Sequence, residues 1–263
     1  MDGIIFVDKP KGIKSHKVAE IIKKILNEKK AGHTGTLDPN ATGLLILLIG
    51  KATRLASIFN IDKTYIGVGR LHKDVNIKEL RNVIKKNFIG KIKQLPPKRS
   101  NVKREWRERE IYEFKILKKQ NRDFHFKVRC EAGTYIRKLI HDVGCLIGGA
   151  HLIELRRVAI GKFKVTNALS IDEIKKLKEK SISKIEDVIK KIGKKNINLN
   201  KQQAKRFCNG AFINKEYLNE NEKNKFEKIN ENEKIFLWHK KDFLGVGIKL
   251  NNKIKPEIVI KQN

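Results

Sequence analysis

The sequence predicts an α+β fold. A larger N-terminal domain over residues 1–193, built on a mixed and mainly antiparallel sheet, is followed by a small β-barrel domain over residues 194–263. Strand-like apolar runs and amphipathic helical runs follow one another without strict βαβ alternation, which favours an antiparallel sheet over a doubly wound one. From about residue 171 the texture turns to Lys/Glu-rich helices, and Gly193-Lys194-Lys195 is a natural break. A chain of 263 residues also exceeds the usual size of one compact domain.

The elements read in order as follows. Residues 4–7 are a buried strand that ends in the basic turn Asp8-Lys9-Pro10-Lys11-Gly12. Ser15 reads as the N-cap of a helix with Val18, Ile21, Ile22 and Ile25 on one face. Residues 32–43 are a polar, glycine-rich loop of neither helical nor strand period, and residues 44–49 an apolar strand. Residues 63–72 form a strand in which Gly67 and Gly69 mark close backbone approach. A helix over 77–87 follows, then an irregular basic arm over 94–110 carrying Pro96-Pro97 and Trp106. Residues 111–117 and 124–130 make a hairpin across the polar turn 118–123. Thr134 reads as the cap of a helix to residue 147 with Ile136, Leu139, Ile140 and Val143 inward, before a strand over 151–163. Beyond the break, a helix capped by Asn200 runs to Cys208, and short strands at 234–239 and 244–250 complete one helix pair and a barrel.

Charge points to a polyanionic partner. Against 29 Asp and Glu stand 60 Lys and Arg, a formal net charge of +31, and phosphate contacts reward such a surplus. Lysine abundance is the weaker part of this, because the chain is rich in Lys, Ile and Asn throughout. Arginine placement is sharper: nine of 13 lie between Arg99 and Arg157, and a guanidinium both forks onto phosphate and stacks on bases. The three cysteines Cys130, Cys145 and Cys208 show no CxxC pairing, so neither a disulfide framework nor a zinc site is expected and a reducing cytoplasm fits. The apolar run 44–49 is far too short to span a bilayer, and the N-terminus lacks a signal-peptide layout. Gly50-Lys51 is not a Walker A end, since Gly43 lies seven positions before Gly50 and Ala52 follows the lysine. His141 and His151 show no metal-ligand spacing with an acidic or thiol partner, so no metal is expected.

The run Gly32-His33-Thr34-Gly35-Thr36-Leu37-Asp38-Pro39-Asn40-Ala41-Thr42-Gly43 carries the most chemistry. Its glycines let the backbone approach a ligand closely, and Pro39 fixes the chain just after Asp38. Local rules leave two readings for Asp38: an Asx turn onto its own backbone, or a carboxylate presented to a substrate.

This run resembles the active-site motif of the TruB and dyskerin family of RNA pseudouridine synthases, whose catalytic aspartate aligns with Asp38. Four further runs match family motifs in family order: Lys9-Pro10 with Gly12, Lys63-Thr64-Tyr65, Gly133-Thr134-Tyr135-Ile136-Arg137 and Leu155-Arg156-Arg157. The resemblance implies a pseudouridine synthase fold with a C-terminal PUA-like domain, and isomerisation of uridine to pseudouridine without a cofactor. It implies Asp38, Tyr65 and Arg137 as catalytic: the carboxylate, the ring stacked on the target base that takes its proton, and the cation paired with the aspartate. It implies Lys9, Pro10, His33, Tyr135, Leu155, Arg156 and Arg157 as substrate-binding, with His33 holding the RNA loop and the two arginines near RNA. The short path from Leu95 to the strand at Ile111, and the run from Cys130 to Arg137, resemble the archaeal and eukaryotic dyskerin type, the catalytic subunit of box H/ACA ribonucleoproteins. The implied partners are tRNA, with its T-loop uridine, and rRNA addressed through a guide RNA, together with small accessory proteins. The family's N-terminal extension and long basic tail are missing, which suggests a minimal archaeal member. The alternatives are a non-catalytic RNA-binding scaffold or a tRNA chaperone.

Overall fold

The computed structural model describes residues 1–97, 103–193 and 195–260. Arg99 of the arginine-rich stretch and Lys194 at the expected break lie outside the described residues. The chain runs through β1 (Gly3–Lys9), α1 (Ser15–Ile25), β2 (Ala31–His33), β3 (Thr42–Ile49), a 3-10 segment (Gly50–Phe59), β4 (Lys63–Leu71), α2 (Ile77–Asn87), β5 (Gly90–Gln94), β6 (Arg107–Gln120), β7 (Asp123–Cys130), α3 (Ile136–Cys145), β8 (Ala150–Ile160) and β9 (Phe163–Lys164). It continues through α4 (Ile171–Leu177), α5 (Ile185–Ile192), β10 (Asn196–Asn198), α6 (Lys201–Cys208), β11 (Ile213–Asn214), α7 (Glu220–Glu227), β12 (Lys234–His239), β13 (Asp242–Leu250) and β14 (Lys253–Val259).

The first sheet has nine strands in the order β1-β3-β8-β4-β7-β6-β5, with β2 beside β3 and β9 beside β8. Its pairings are antiparallel except between β3 and β8, which run parallel and meet only through Thr42–Arg156 and Gly43–Arg157. The run from Leu44 to Ile49 is continuously apolar because β3 is buried on both faces. Leu45, Leu47 and Ile49 pack under Val18 and Ile22 of α1. Leu44, Ile46 and Leu48 pack on the opposite side with Phe59 and Ile189. Farther along the sheet, Leu80 and Ile84 of α2 and Leu139, Ile140 and Val143 of α3 close over Phe114, Phe126 and Val128. Gly67 is the close approach its position suggests: a Cβ there would sit 2.5 Å from the Glu154 carbonyl oxygen and 2.7 Å from the Phe126 ring.

The second sheet has the order β10-β12-β13-β14-β11 and is curled by irregularities at Leu237/Trp238 and Val246/Gly247. Its inner face does not stand apart. Phe236, Trp238, Phe243 and Val246 share one buried cluster with Ile4, Leu44 and Phe163 of the first sheet, with Phe59 of the 3-10 segment and with Val188 and Ile189 of α5. Among the described residues, no helix is long and apolar enough to cross a membrane.

Several local expectations need correction. Ser15 does not cap α1; it is the first helical residue, and the cap is Lys14, which makes no side-chain capping bond. Thr134 does not cap α3 either: its hydroxyl donates to the Glu131 carbonyl, and the cap is Tyr135. The hairpin is longer than expected, turning over Asn121 and Arg122 alone. The charged run Arg107-Glu108-Arg109-Glu110 hid the start of β6, because pairing with β5 rather than burial holds it extended. The glycine-rich loop is shorter than expected, since Gly32 and His33 belong to β2 and Thr42 and Gly43 to β3.

Because the two sheets share a core, Phe236→Ala is expected to cost about 3–5 kcal/mol. A urea titration followed by both fluorescence and circular dichroism checks this: a lower midpoint with superimposed transitions is expected, and two separate transitions would show that the sheets unfold independently.

Candidate active site

Residues 34–41 join β2 to β3 and carry Asp38 at their tip. They form no regular ladder, so their backbone polar groups need partners from elsewhere. Three side chains supply them. Lys9, fully buried at the end of β1, donates from Nζ to the carbonyls of Pro10 at 2.8 Å, Ile13 at 2.7 Å and Pro39 at 3.1 Å. Arg157 of β8, also buried, donates from Nε to the Leu44 carbonyl at 2.7 Å and from Nη2 to the Gly35 carbonyl at 3.0 Å. The Ser15 hydroxyl accepts from the Leu37 amide at 2.8 Å and donates to the Leu37 carbonyl at 3.0 Å. Gly43 is required where the loop re-enters the sheet: its φ is +101°, and a Cβ would lie 2.3 Å from the Arg157 carbonyl oxygen.

On this base the Asp38 carboxylate projects to Arg137, accepting a hydrogen bond from its Nη2. The turn at Asp38 is made by its main chain, the Ala41 amide donating to the Asp38 carbonyl at 3.0 Å. Both side chains are about half exposed, so the pair is open rather than buried. Exposed pairs contribute only about 0–1 kcal/mol; the contact orients Asp38 more than it stabilises the fold. Arg137 sits in the first turn of α3, where the helix dipole disfavours a cation. Its place therefore answers to Asp38 and not to the helix. The strand-end residue Gln94, 1% exposed, fixes that helix start by donating to the Tyr135 carbonyl at 3.2 Å and accepting from the Tyr135 amide at 3.0 Å.

Beneath the loop lies Tyr65 of β4, 6% exposed and directly across from Arg157 in the β4–β8 register. Burial raises the Tyr65 hydroxyl above its ordinary value, and the Arg157 guanidinium beside it opposes the rise. Lys63, on the same face of β4, is buried too, and burial with the charge of Arg157 lowers its ammonium to about 8. Burial likewise lowers Lys9 and His33, with Arg157 adding to both. Among the described residues, none of Lys9, Lys63 and Arg157 forms an ion pair with a carboxylate.

The remaining expected residues divide. Arg156 grips Asp8 in a two-pronged pair at 2.9 and 2.6 Å and stays partly exposed. Leu155 is half-buried and lines a cavity of about 380 Å³ with Lys11, Asn40, Thr42, Gly67 and Arg156. Pro10 is exposed, and His33 and Tyr135 are half-buried beside the loop and at the start of α3. Arg157 was expected near RNA beside Arg156. Strand alternation sends its guanidinium inward under the loop, where it is 1% exposed. The dismissal of His141 also needs correction: on α3 its ring lies with Asp142 and Cys145 so that their ligand atoms fall within 4.8 Å of one another. The i, i+4 spacing of His141 and Cys145 was the available signal. Asp142 is already engaged by Lys138, and the group is the one metal-capable cluster among the described residues. Ser15 and Gln94 went unrecognised because their partners are backbone groups 22 and 41 residues away.

Comparison with known proteins bears on this geometry. Residues 23–136 match the model of the TruB family pseudouridylate synthase (N terminal domain), and residues 137–192 that of the tRNA pseudouridylate synthase B C-terminal domain. The chain is 46% identical over 177 residues to a probable tRNA pseudouridine synthase B of Methanopyrus kandleri, covering 66% of this chain and 52% of that protein. It is 43% identical over 176 residues to the corresponding protein of Thermoplasma volcanium, covering 66% and 50%. It thus spans about half the length of the curated relatives it matches. Among solved structures, it superposes with a TM-score of 0.86 and 32% identity on a chain of a Cbf5-Nop10-Gar1 complex, covering 99% of this chain and 85% of that one. A chain of an H/ACA RNP bound to a substrate RNA containing 2′-deoxyuridine gives a TM-score of 0.82 at 29% identity, with 98% and 85% covered.

Two outcomes follow from the buried groups. Ser15→Ala leaves both Leu37 backbone groups without their partner and is expected to cost about 1–3 kcal/mol, read as a lower melting temperature. Lys63 titrates at about 8 in the fold against 10.5 ordinarily, so its charge opposes folding at neutral pH by roughly 3 kcal/mol. Lys63→Met is therefore expected to be more stable than the parent at pH 7. The difference should shrink from pH 8 upward and vanish above about 10.5 in denaturant titrations across pH; a difference independent of pH would contradict the assignment.

Proposed function

The chain belongs to the TruB family of pseudouridylate synthases, and from that premise we propose that it isomerises uridine to pseudouridine in RNA with Asp38 as the reactive carboxylate. The observation that carries the reading is the Asp38–Arg137 pair, presented at the tip of a clamped loop above the buried ring of Tyr65.

The reaction breaks the N1–C1′ bond, turns the uracil while it stays bound, and rejoins C1′ through C5. The target base must leave its stack to reach such a site. Asp38 acts either as nucleophile at the sugar or as the base that promotes elimination across it. Arg137 keeps the carboxylate aimed. Tyr65 supports the flipped uracil and receives the proton that C5 gives up, while N1 gains one, so the reaction is an isomerisation with no net change in composition. His33, held neutral at pH 7 by its burial, offers one donor and one acceptor to the RNA loop. Tyr135, Leu155, Arg156 and Pro10 flank the entrance, whereas Lys9 and Arg157 serve from beneath the loop. The surplus of 31 positive charges holds the RNA backbone.

On this reading the domains are a catalytic one over 1–193 and a PUA-like RNA-binding one over 194–263. The names of its relatives support tRNA as substrate, and the likeness to chains of H/ACA complexes supports guide RNA and small proteins such as Nop10 and Gar1 as partners. A reducing cytoplasm suits the cysteine pattern.

The test is turnover of a tRNA transcript and of a guide-RNA-addressed uridine, with pseudouridine read by mass spectrometry. Asp38→Asn is expected to lower the rate by at least about a thousandfold, the scale on which loss of a reacting group acts, with RNA affinity within about threefold of the parent because phosphate contacts carry it. Full activity of that variant would overturn the proposal.

A further inference from the structure

Among the described residues the buried guanidinium of Arg157 has no carboxylate partner, and its position is unusual for a charge that costly to bury. Two of its donors are used on the Leu44 and Gly35 carbonyls, which fixes the group in the plane between β3, the loop and β4. The β4–β8 register sets Tyr65 directly across from it. The groups that face the Tyr65 hydroxyl are Arg157 from β8, Cys130 from β7 and Asp38 from the loop. Cys130, buried and raised to about 11, stays a neutral thiol. Asp38 is turned toward Arg137. Arg157 is the cation that acts on the Tyr65 hydroxyl from these three elements, and the buried Lys63 lies on the same face of β4.

We propose that Arg157 is a positioning residue for proton removal: it holds the Tyr65 side chain against the loop and stabilises the phenolate that takes the C5 proton. The inference rests on the reading of Tyr65 as the acceptor. In the step concerned, C1′ is already bonded to C5, which carries its hydrogen as well. Tyr65 first gives up its own hydroxyl proton to solvent; the C5–H bond then breaks, its electron pair restores the conjugated uracil ring, and the proton passes to the Tyr65 phenolate, which ends the step as a neutral phenol. A fully buried tyrosine is a poor acceptor on its own, because burial disfavours the anion. A fixed cation against the hydroxyl offsets that, and a guanidinium does so without ever losing its own charge. Burial lowers Lys9, Lys63 and His33, and the charge of Arg157 adds to each, so its positive potential reaches all three.

Three proteins test this: Arg157→Met, Arg157→Lys, and Arg157→Met carrying 3,5-difluorotyrosine, a more acidic phenol, at position 65. Single-turnover rates on the tRNA transcript are measured from pH 6 to 10, with RNA affinity measured alongside. Arg157→Met is expected to lose at least about tenfold in rate at pH 7, the equivalent of one pH unit in the acceptor. RNA affinity is expected to stay within threefold, since the residue is 1% exposed. Difluorotyrosine should restore most of the lost rate in Arg157→Met. Arg157→Lys, which keeps a cation, should retain more activity than Arg157→Met. If Arg157→Met does not fold, Arg157→Lys with and without difluorotyrosine carries the same test. A loss that difluorotyrosine does not relieve, or one matched by a loss of RNA affinity, overturns the proposal. An inactive Asp38→Asn beside an active parent shows that such a failure concerns Arg157 and not the reaction itself.

Discussion

Eight residues between β2 and β3 lie outside any ladder, and satisfying their backbone is the constraint on which the site depends. A loop that turned to water for its partners would be mobile. This one turns inward, with Pro39, Leu37 and Gly35 each held by a side chain from a different element: Lys9, Ser15 and Arg157. Those elements are themselves fixed by the core. β1 and β3 are buried on both faces, α1 packs on one of them, and β8 meets β3 at Gly43, where no other residue fits. The position of one carboxylate is thus set by packing that extends through the first sheet and, by the shared cluster around Phe236 and Trp238, into the second.

The clamp has an energetic cost that explains its composition. Among the described residues Lys9, Lys63 and Arg157 are buried cations without carboxylate partners, a costly arrangement. Carbonyl oxygens soften the penalty for Lys9 and Arg157. Among the described residues Lys63 has no such help, and burial lowers it to about 8, so it would be better replaced by an apolar side chain if stability alone decided. A fold that tolerates this is holding positive potential where an anionic ligand or a developing negative charge must be accommodated. The open Asp38–Arg137 pair complements it: the pair adds little to stability, and it leaves the carboxylate accessible.

How much of this was legible in the sequence depends on the range of the interaction. α2 and α6 were readable to the residue because their patterns are local, with Asn200 a recognisable cap for α6, and the structure adds Asn76 as the cap of α2. β12 was readable for the same reason, as a local run. The caps assigned to Ser15 and Thr134 failed because their hydroxyls are spent on other backbone groups, and no local rule sees Leu37 from Ser15. Asp38, Tyr65 and Arg137 could be named only through family resemblance; the structure places Asp38 against Arg137 across 99 residues and Tyr65 beneath them. Arg156 and Arg157 look alike in sequence, yet strand alternation sends one to Asp8 at the surface and the other into the core. The start of β6 was hidden because its charges alternate in sign and bury nothing.

The central claim is that a clamped loop presents Asp38 to the sugar of a flipped uridine lying on Tyr65. The measurement that addresses it most directly is a crystal structure of the chain bound to an RNA whose target carries a 2′-deoxyuridine. The account predicts that nucleotide out of its stack, with its C1′ within about 3.5 Å of an Asp38 oxygen, the distance at which reacting atoms meet, and its base against Tyr65. A target base that stays stacked, or that lies in another cavity with Asp38 still closed on Arg137, would contradict it.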